Sequence, residues 1–168
     1  MTPFAARIAA AALAVFSPTG HVNTDEFAAA VESVTKDTDW AALLVTIAAK
    51  ESAGLDRLRA GECLAWECDP RRVRGELHHA AWGLFQAHQN KNNAAVWGST
   101  DLLVQVTEAN RALVSGFWTC AQGIPRGSAH SIRVQLAING YAGKRCDDFE
   151  WPGLKARLAM WRSIRGRL

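Results

Sequence analysis

Almost everywhere along this chain the apolar residues return every three or four positions, and that repeat admits helices and little else. The clearest case is TDWAALLVTIAAKESAGL, residues 38–55. Counted from Trp40, the residues Leu43, Leu44, Ile47 and Ala48 fall at offsets 3, 4, 7 and 8, on one helical face. Glu51 falls at offset 11, which at about 100° per residue returns to within about 20° of Trp40. A carboxylate therefore lies in line with an apolar stripe. Either the helix runs out into solvent there, or the chain places an acid where water is scarce.

The same spacing continues on both sides. Residues 3–16 read as an Ala-rich first helix packed on the domain; the alternative is that 1–20 is a secretory signal, since Arg7 precedes a short apolar run and a turn. That run is too short to span a bilayer, so no stable membrane insertion is expected. Asn23 or Thr24 caps a second helix through DEFAAAVESV, and Asp37 or Thr38 caps the helix that carries Glu51, which ends at Gly54. Asp101 caps a further helix, predicted to be central and buried, with Leu102, Leu103, Val106, Leu113, Phe117 and Cys120 on one side. AHSIRVQLAINGYAG forms another helix, and WPGLKARLAMWRSIRGRL a last one with Leu154, Leu158, Trp161 and Arg165 along one face. The period stops only between them, in a loop lobe at 53–81 with three Gly and one Pro and a small hairpin expected around Gly75. Loops of this length inside a compact domain tend to be functional. The expectation is a mostly α fold, one helical domain over 1–168 with an irregular lobe.

With 168 residues, 49% hydrophobic and 21% charged, the chain is large and apolar enough for its own core, which excludes disordered and fibrous classes. A net charge of +3 is too weak to point to nucleic acid, and no nucleic-acid partner is expected. The cations are concentrated, however: 151–168 carries Lys155, Arg157, Arg162, Arg165 and Arg167 and no acid. This basic C-terminal helix reads as packed on the domain with a solvated cationic outer face, suited secondarily to an anionic envelope surface. Four cysteines allow three pairings, of which Cys63 with Cys68 and Cys120 with Cys146 is favoured because each staples a loop-like segment. These bridges would stabilise by about 2 and about 3.5 kcal/mol and would place the protein outside a reducing cytoplasm. His78, His79 and His88 match no zinc spacing, so no metal and no cofactor is expected.

Three short pieces carry the functional signal: KES at 50–52, WGLFQ at 82–86 and AINGYAG at 137–143. In this order on a helical background they resemble the lysozyme-like lytic transglycosylases, a family that includes soluble lytic transglycosylases and goose-type lysozymes. There a helix ends in Glu-Ser with the Glu as sole catalytic acid, a Gly-Leu-Met-Gln segment follows, and an Ala-Tyr-Asn-Ala-Gly segment comes later. Glu51 and Ser52 match the first, Gly83, Leu84, Phe85 and Gln86 the second with Phe for Met, and Ala137, Asn139 and a Gly the third. Ile138 stands where the family has its tyrosine. Tyr141, the only tyrosine of the chain, lies three residues on, near the same helix face, and is expected to substitute.

The resemblance implies an α+β lysozyme-like fold and cleavage of the β-1,4 bond between N-acetylmuramic acid and N-acetylglucosamine in peptidoglycan. Glycan strands would then be the partner, and the cell envelope, periplasm, extracellular space or a phage virion the location. It implies Glu51 as the catalytic residue, with Ser52, Gly83, Phe85, Gln86, Asn139 and Tyr141 binding substrate and the rings of Trp82 and Phe85 available to stack on sugars. Breaking a glycosidic bond requires an acid still protonated near neutral pH. An unperturbed Glu with pKa about 4.3 is protonated only ~0.2% of the time at pH 7, whereas a hydrophobic pocket that raises it to about 6 gives roughly 9%. In the single-acid route implied by the resemblance, the substrate's acetamido oxygen stabilises the anomeric carbon and Glu51 then activates the C6 hydroxyl, giving an anhydro product. Two readings stay open beside it: a hydrolytic muramidase with a second acid from Glu62, Glu67, Asp69 or Glu76, and a silent cell-wall binding module.

Overall fold

The computed structural model describes residues 1–16, 22–52, 70–73, 76–79, 83–87, 90–122, 130–144 and 146–168, with the backbone alone for 70–73, 76–79 and His130. Six helices lie among them: α1 (Pro3–Phe16), α2 (Thr24–Val34), α3 (Thr38–Glu51), α4 (Leu102–Cys120), α5 (His130–Tyr141) and α6 (Pro152–Arg165). The chain is mostly α, as its periodicity requires. Two short strands, β1 (Pro70–Val73) and β2 (Glu76–His79), pair antiparallel with Pro70 opposite His79 and Val73 opposite Glu76. The expectations for Gly54, Cys63, Cys68, Trp82, His88 and the acids Glu62, Glu67 and Asp69 fall outside the described residues.

Local chemistry starts each helix where a polar side chain meets free backbone N–H groups. The Thr2 hydroxyl accepts from Ala5 N at 3.1 Å ahead of α1, and Asn23 Oδ1 accepts from Glu26 N at 3.2 Å ahead of α2. Asp37 rather than Thr38 caps α3, accepting from Trp40 N at 2.9 Å, and Asp101 caps α4 through Leu103 N at 2.8 Å. Helix α3 ends at Glu51, with Ser52 as its cap, so it stops short of the expected Gly54.

The core inverts one expectation. Every residue from Ala41 to Ala49 is buried, so α3 is covered on all sides and is the central helix. Helix α4, predicted for that place, buries Gln105, Val106, Ala109, Leu113, Gly116 and Cys120 and leaves Leu103, Val114 and Trp118 exposed. The physical reason is side-chain size. A helix made of Ala, Leu, Val, Thr and Ile admits neighbours on every face, whereas α4 carries Glu108 and Arg111 and must keep a polar side. Helix α1 buries Ala5, Ile8, Ala9, Ala11, Ala12 and Phe16 in the same core as α3. Phe16 meets Phe27 of α2 edge-on at 5.5 Å.

Helices α4 and α5 cross at two glycines. A Cβ placed on Gly116 would sit 2.8 Å from the Gly140 carbonyl carbon, and one on Gly140 would sit 2.4 Å from Gly116 Cα. Only hydrogen fits between the two backbones there. The end of α4 is tied to the segment after α5 by the Cys120–Cys146 disulfide, which spans 26 residues and by chain entropy contributes about 3.5 kcal/mol.

The crossing makes a clear expectation. Gly140→Ala must push two backbones apart and should lower stability by about 1–3 kcal/mol, read as an earlier midpoint in urea unfolding. An unchanged midpoint would show that the crossing tolerates a side chain.

Candidate active site

Glu51 is delivered by the last turn of α3, where the buried helix emerges between α5 and α6. Its side chain is 22% exposed and is ion-paired with Arg157 of α6, itself 17% exposed. The sequence predicted an apolar, water-poor setting for this carboxylate. Its surroundings are instead polar: α3 is sheathed in apolar residues only as far as Ala49, and beyond it a guanidinium from the neighbouring helix reaches the acid.

Tyr141 closes the other side. Its hydroxyl donates to the Phe85 carbonyl. Burial pushes this hydroxyl well above its ordinary ionisation range, the Glu51 charge pushes it further, and Arg157 pulls the other way. Tyr141 thus stays a proton donor, fixed between the turn at 83–87 and Glu51. Ile138, one turn earlier on α5, is wholly buried in the core.

The turn is held by backbone geometry. Gly83 has φ +68° and Gln86 has φ +49°, the latter in a region that side-chain-bearing residues seldom adopt. Gln86 N and Nε2 both donate to the Gly83 carbonyl, at 3.1 and 2.9 Å. Gln105 of α4 anchors the turn from below: its Oε1 accepts from Leu84 N at 2.9 Å and its Nε2 donates to the Ser99 carbonyl at 3.2 Å. A Cβ on Gly83 would meet Gln105 Oε1 at 2.4 Å, so this position requires glycine twice over, for space and for φ. A left-handed non-glycine residue such as Gln86 costs on the order of 1 kcal/mol and is held by its surroundings.

Three predicted substrate contacts turn inward. The Phe85 ring is buried and stacks on Phe27 at 6.3 Å, so it belongs to the core and not to a sugar platform. Ser52 is fully buried and its hydroxyl donates to the Ala48 carbonyl at 2.7 Å, closing the helix. Asn139, also fully buried, donates from Nδ2 to the Asp148 carbonyl at 3.0 Å and accepts at Oδ1 from Trp151 Nε1 at 2.8 Å. Phe85 is thus held by apolar packing, and the polar groups of Ser52 and Asn139 are satisfied within the fold.

Gln86 and Tyr141 do face a groove. It has a volume of about 360 Å³ and runs along α4, with Asn90, Asn93, Ser115, Gly116 and Thr119 among its lining. Its polar, largely uncharged surface suits a ligand rich in hydroxyl and amide groups. The one ion pair there, Arg111 with Glu108 at 2.9 Å, is internal to α4.

Arg157, Trp151 and Gln105 carry no motif in the sequence. Arg157 is one cation among five in the terminal strip, and two of those five are directed inward: Arg157 to Glu51 and Arg165 to Asp39. The strip is therefore partly a dock onto α3 and not only a solvated face. The available signal was antiparallel complementarity, acids at 39 and 51 against arginines at 165 and 157. Among the described residues, no three His, Cys, Asp or Glu side chains gather to hold a metal ion, and no helix is long and apolar enough to cross a membrane. Comparison of the chain with protein-family models, with curated proteins and with solved structures finds no match.

Tyr141 supplies a direct test, because it is the only tyrosine in the chain. The unfolded chain loses this proton near pH 10 while the folded chain keeps it, so the folded state binds more protons and stability falls as pH rises above about 10. Tyrosinate absorbance should therefore appear only together with unfolding, and Tyr141→Phe should remove that part of the alkaline loss. A tyrosinate signal at pH 10 in the folded chain would contradict the burial.

Proposed function

We propose that the chain is a lysozyme-like enzyme that cleaves the β-1,4 bond between N-acetylmuramic acid and N-acetylglucosamine in peptidoglycan, with Glu51 as its single acid and base, and that it is related to the lytic transglycosylases. The observation that carries this reading is the meeting of three separated motifs. Tyr141 of AINGYAG donates to Phe85 of WGLFQ, and the charge of Glu51 in KES acts on that same hydroxyl. Nothing in helix packing alone demands that these three segments converge on one acid.

The geometry supports a route in which Glu51 protonates the glycosidic oxygen, the substrate's acetamido oxygen stabilises the positive anomeric carbon, and the Glu51 carboxylate takes the proton of the attacking hydroxyl. Attack by the sugar's C6 hydroxyl leaves an anhydro end; attack by water leaves a reducing end. The groove beside Gln86 and Tyr141 would hold the adjoining sugars, and Tyr141 would fix the turn that forms its wall. A site of this kind acts at the cell envelope, in the periplasm, outside the cell or from a virion, and a disulfide such as Cys120–Cys146 is consistent with those compartments.

Incubation of purified sacculi with the protein, followed by mass spectrometry of the released fragments, tests the reading. Anhydro-muropeptides are expected, and Glu51→Gln should lower their rate of release by at least ~10²-fold. Reducing ends would favour the hydrolytic muramidase, intact glycan would favour a binding module, and full activity in Glu51→Gln would remove Glu51 from the chemistry.

A further inference from the structure

We infer that Arg157 is a positioning residue for Glu51: carried by Trp151 and Asn139, it pairs with the carboxylate at the end of α3, and its charge is coupled to proton exchange at that acid. The consequence for catalysis rests on the glycan-cleaving reading; the coupling between the two side chains does not.

The support for Arg157 is built in steps. Asn139, locked by the carbonyls of Cys146 and Asp148, accepts from Trp151 Nε1 at 2.8 Å. The Trp151 ring folds back over the first turn of α6, where a Cβ on Gly153 would strike it at 1.9 Å, so only glycine leaves room for it. The guanidinium of Arg157 lies against the same ring, 5.4 Å from its centroid, and Nη1 donates to the Gly153 carbonyl at 3.2 Å. Asn139 therefore reaches Glu51 through two intermediaries, which gives AINGYAG a role that its own hydrogen bonds do not display.

Two facts set this pair apart from an ordinary surface bridge. Both side chains are mostly buried, so solvent screens them weakly. Arg157 Nε is also buried, with no hydrogen-bond partner among the described residues.

Glu51 ends a helix, where the C-terminal partial charge disfavours a carboxylate. Arg157 opposes that effect. The described ionisable groups around Glu51 are Tyr141 from α5, Arg157 from α6 and the neighbouring Lys50 on α3. Helices α1 and α2 meet α3 through apolar side chains, and Glu108 and Arg111 of α4 pair with each other in the groove. The turn at 83–87 carries no ionisable side chain. Arg157 is thus the one described cation in contact with the acid that can tip its protonation.

The experiment compares the full-length chain with Arg157→Met and Arg157→Lys. Two readouts are taken over pH: the carboxyl ¹³C titration of Glu51 by NMR and the rate of glycan release, with thermal unfolding of each variant alongside. In Arg157→Met the midpoint of the Glu51 titration and the alkaline limb of the rate profile should both move to higher pH, by at least about one pH unit, and Arg157→Lys should return most of the shift. An unmoved titration in a folded Arg157→Met would overturn the inference and leave Arg157 a packing residue. Where Arg157→Met fails to fold, the neutral Arg157→Gln decides: a titration displaced to higher pH supports the inference, and one identical to wild type overturns it. A moved titration in a protein that leaves glycan intact upholds the coupling and overturns only the glycan-cleaving reading.

Discussion

A helix that is buried on every side can present a charged group only at its ends, and α3 is such a helix. Its two acids sit where that constraint allows them, Asp39 in the first turn and Glu51 in the last. The ends are not equivalent. Asp39 lies at the positive pole of the helix dipole, where a carboxylate is favoured, and Glu51 lies at the negative pole, where it is not. Helix α6 runs antiparallel to α3 and meets both, Arg165 at Asp39 and Arg157 at Glu51, while Trp161 Nε1 donates to the Asp39 carbonyl at 2.9 Å between them. The first pair adds to a favourable arrangement; the second offsets an unfavourable one.

Placement of the remaining groups follows from how closely the helices approach. The glycine crossing of α4 and α5 brings Tyr141, the residue after Gly140, down beside α3, and a bulkier residue at either glycine would lift the hydroxyl off Phe85. Gln105 works from the same helix α4, pinning Leu84 and crowding Gly83 so that the turn has one conformation. Both walls of the site are thus registered on α4. The disulfide at the end of α4 fixes the segment 146–151 from which Trp151 supports Arg157. A site assembled from four segments gains its precision from these shared supports rather than from any one element.

The sequence made the helices legible because their period and caps are local properties: Asn23, Asp37 and Asp101 cap where their side chains predict, and α1 matches its expected bounds. What it could not express was which helix is central, since α3 and α4 have similar apolar stripes and differ in what packs against the other faces. The candidate site was legible to the same depth. Glu51 and Tyr141 were visible as anomalies, a carboxylate on an apolar stripe and a lone tyrosine one turn from its expected place. Arg157 was not, because its meaning depends on the antiparallel register of α6 on α3. Phe85, Ser52 and Asn139 were assigned to substrate through their motifs, yet burial commits their side chains to the core and to backbone partners.

The polar setting of Glu51 changes what the proposed chemistry has to explain. A lone carboxyl in an apolar pocket is prepared as an acid and is poorly prepared for the second half of the reaction, when it must accept a proton as a carboxylate. A carboxylate paired with arginine has the opposite bias. In a site with one carboxylate the same group must do both, and the favourable compromise lies between the two extremes. Glu51 stands at such a position, the last residue of its helix and ion-paired with Arg157. On the glycan-cleaving reading proposed above, the ion pair with Arg157 would favour the carboxylate form that the second step requires.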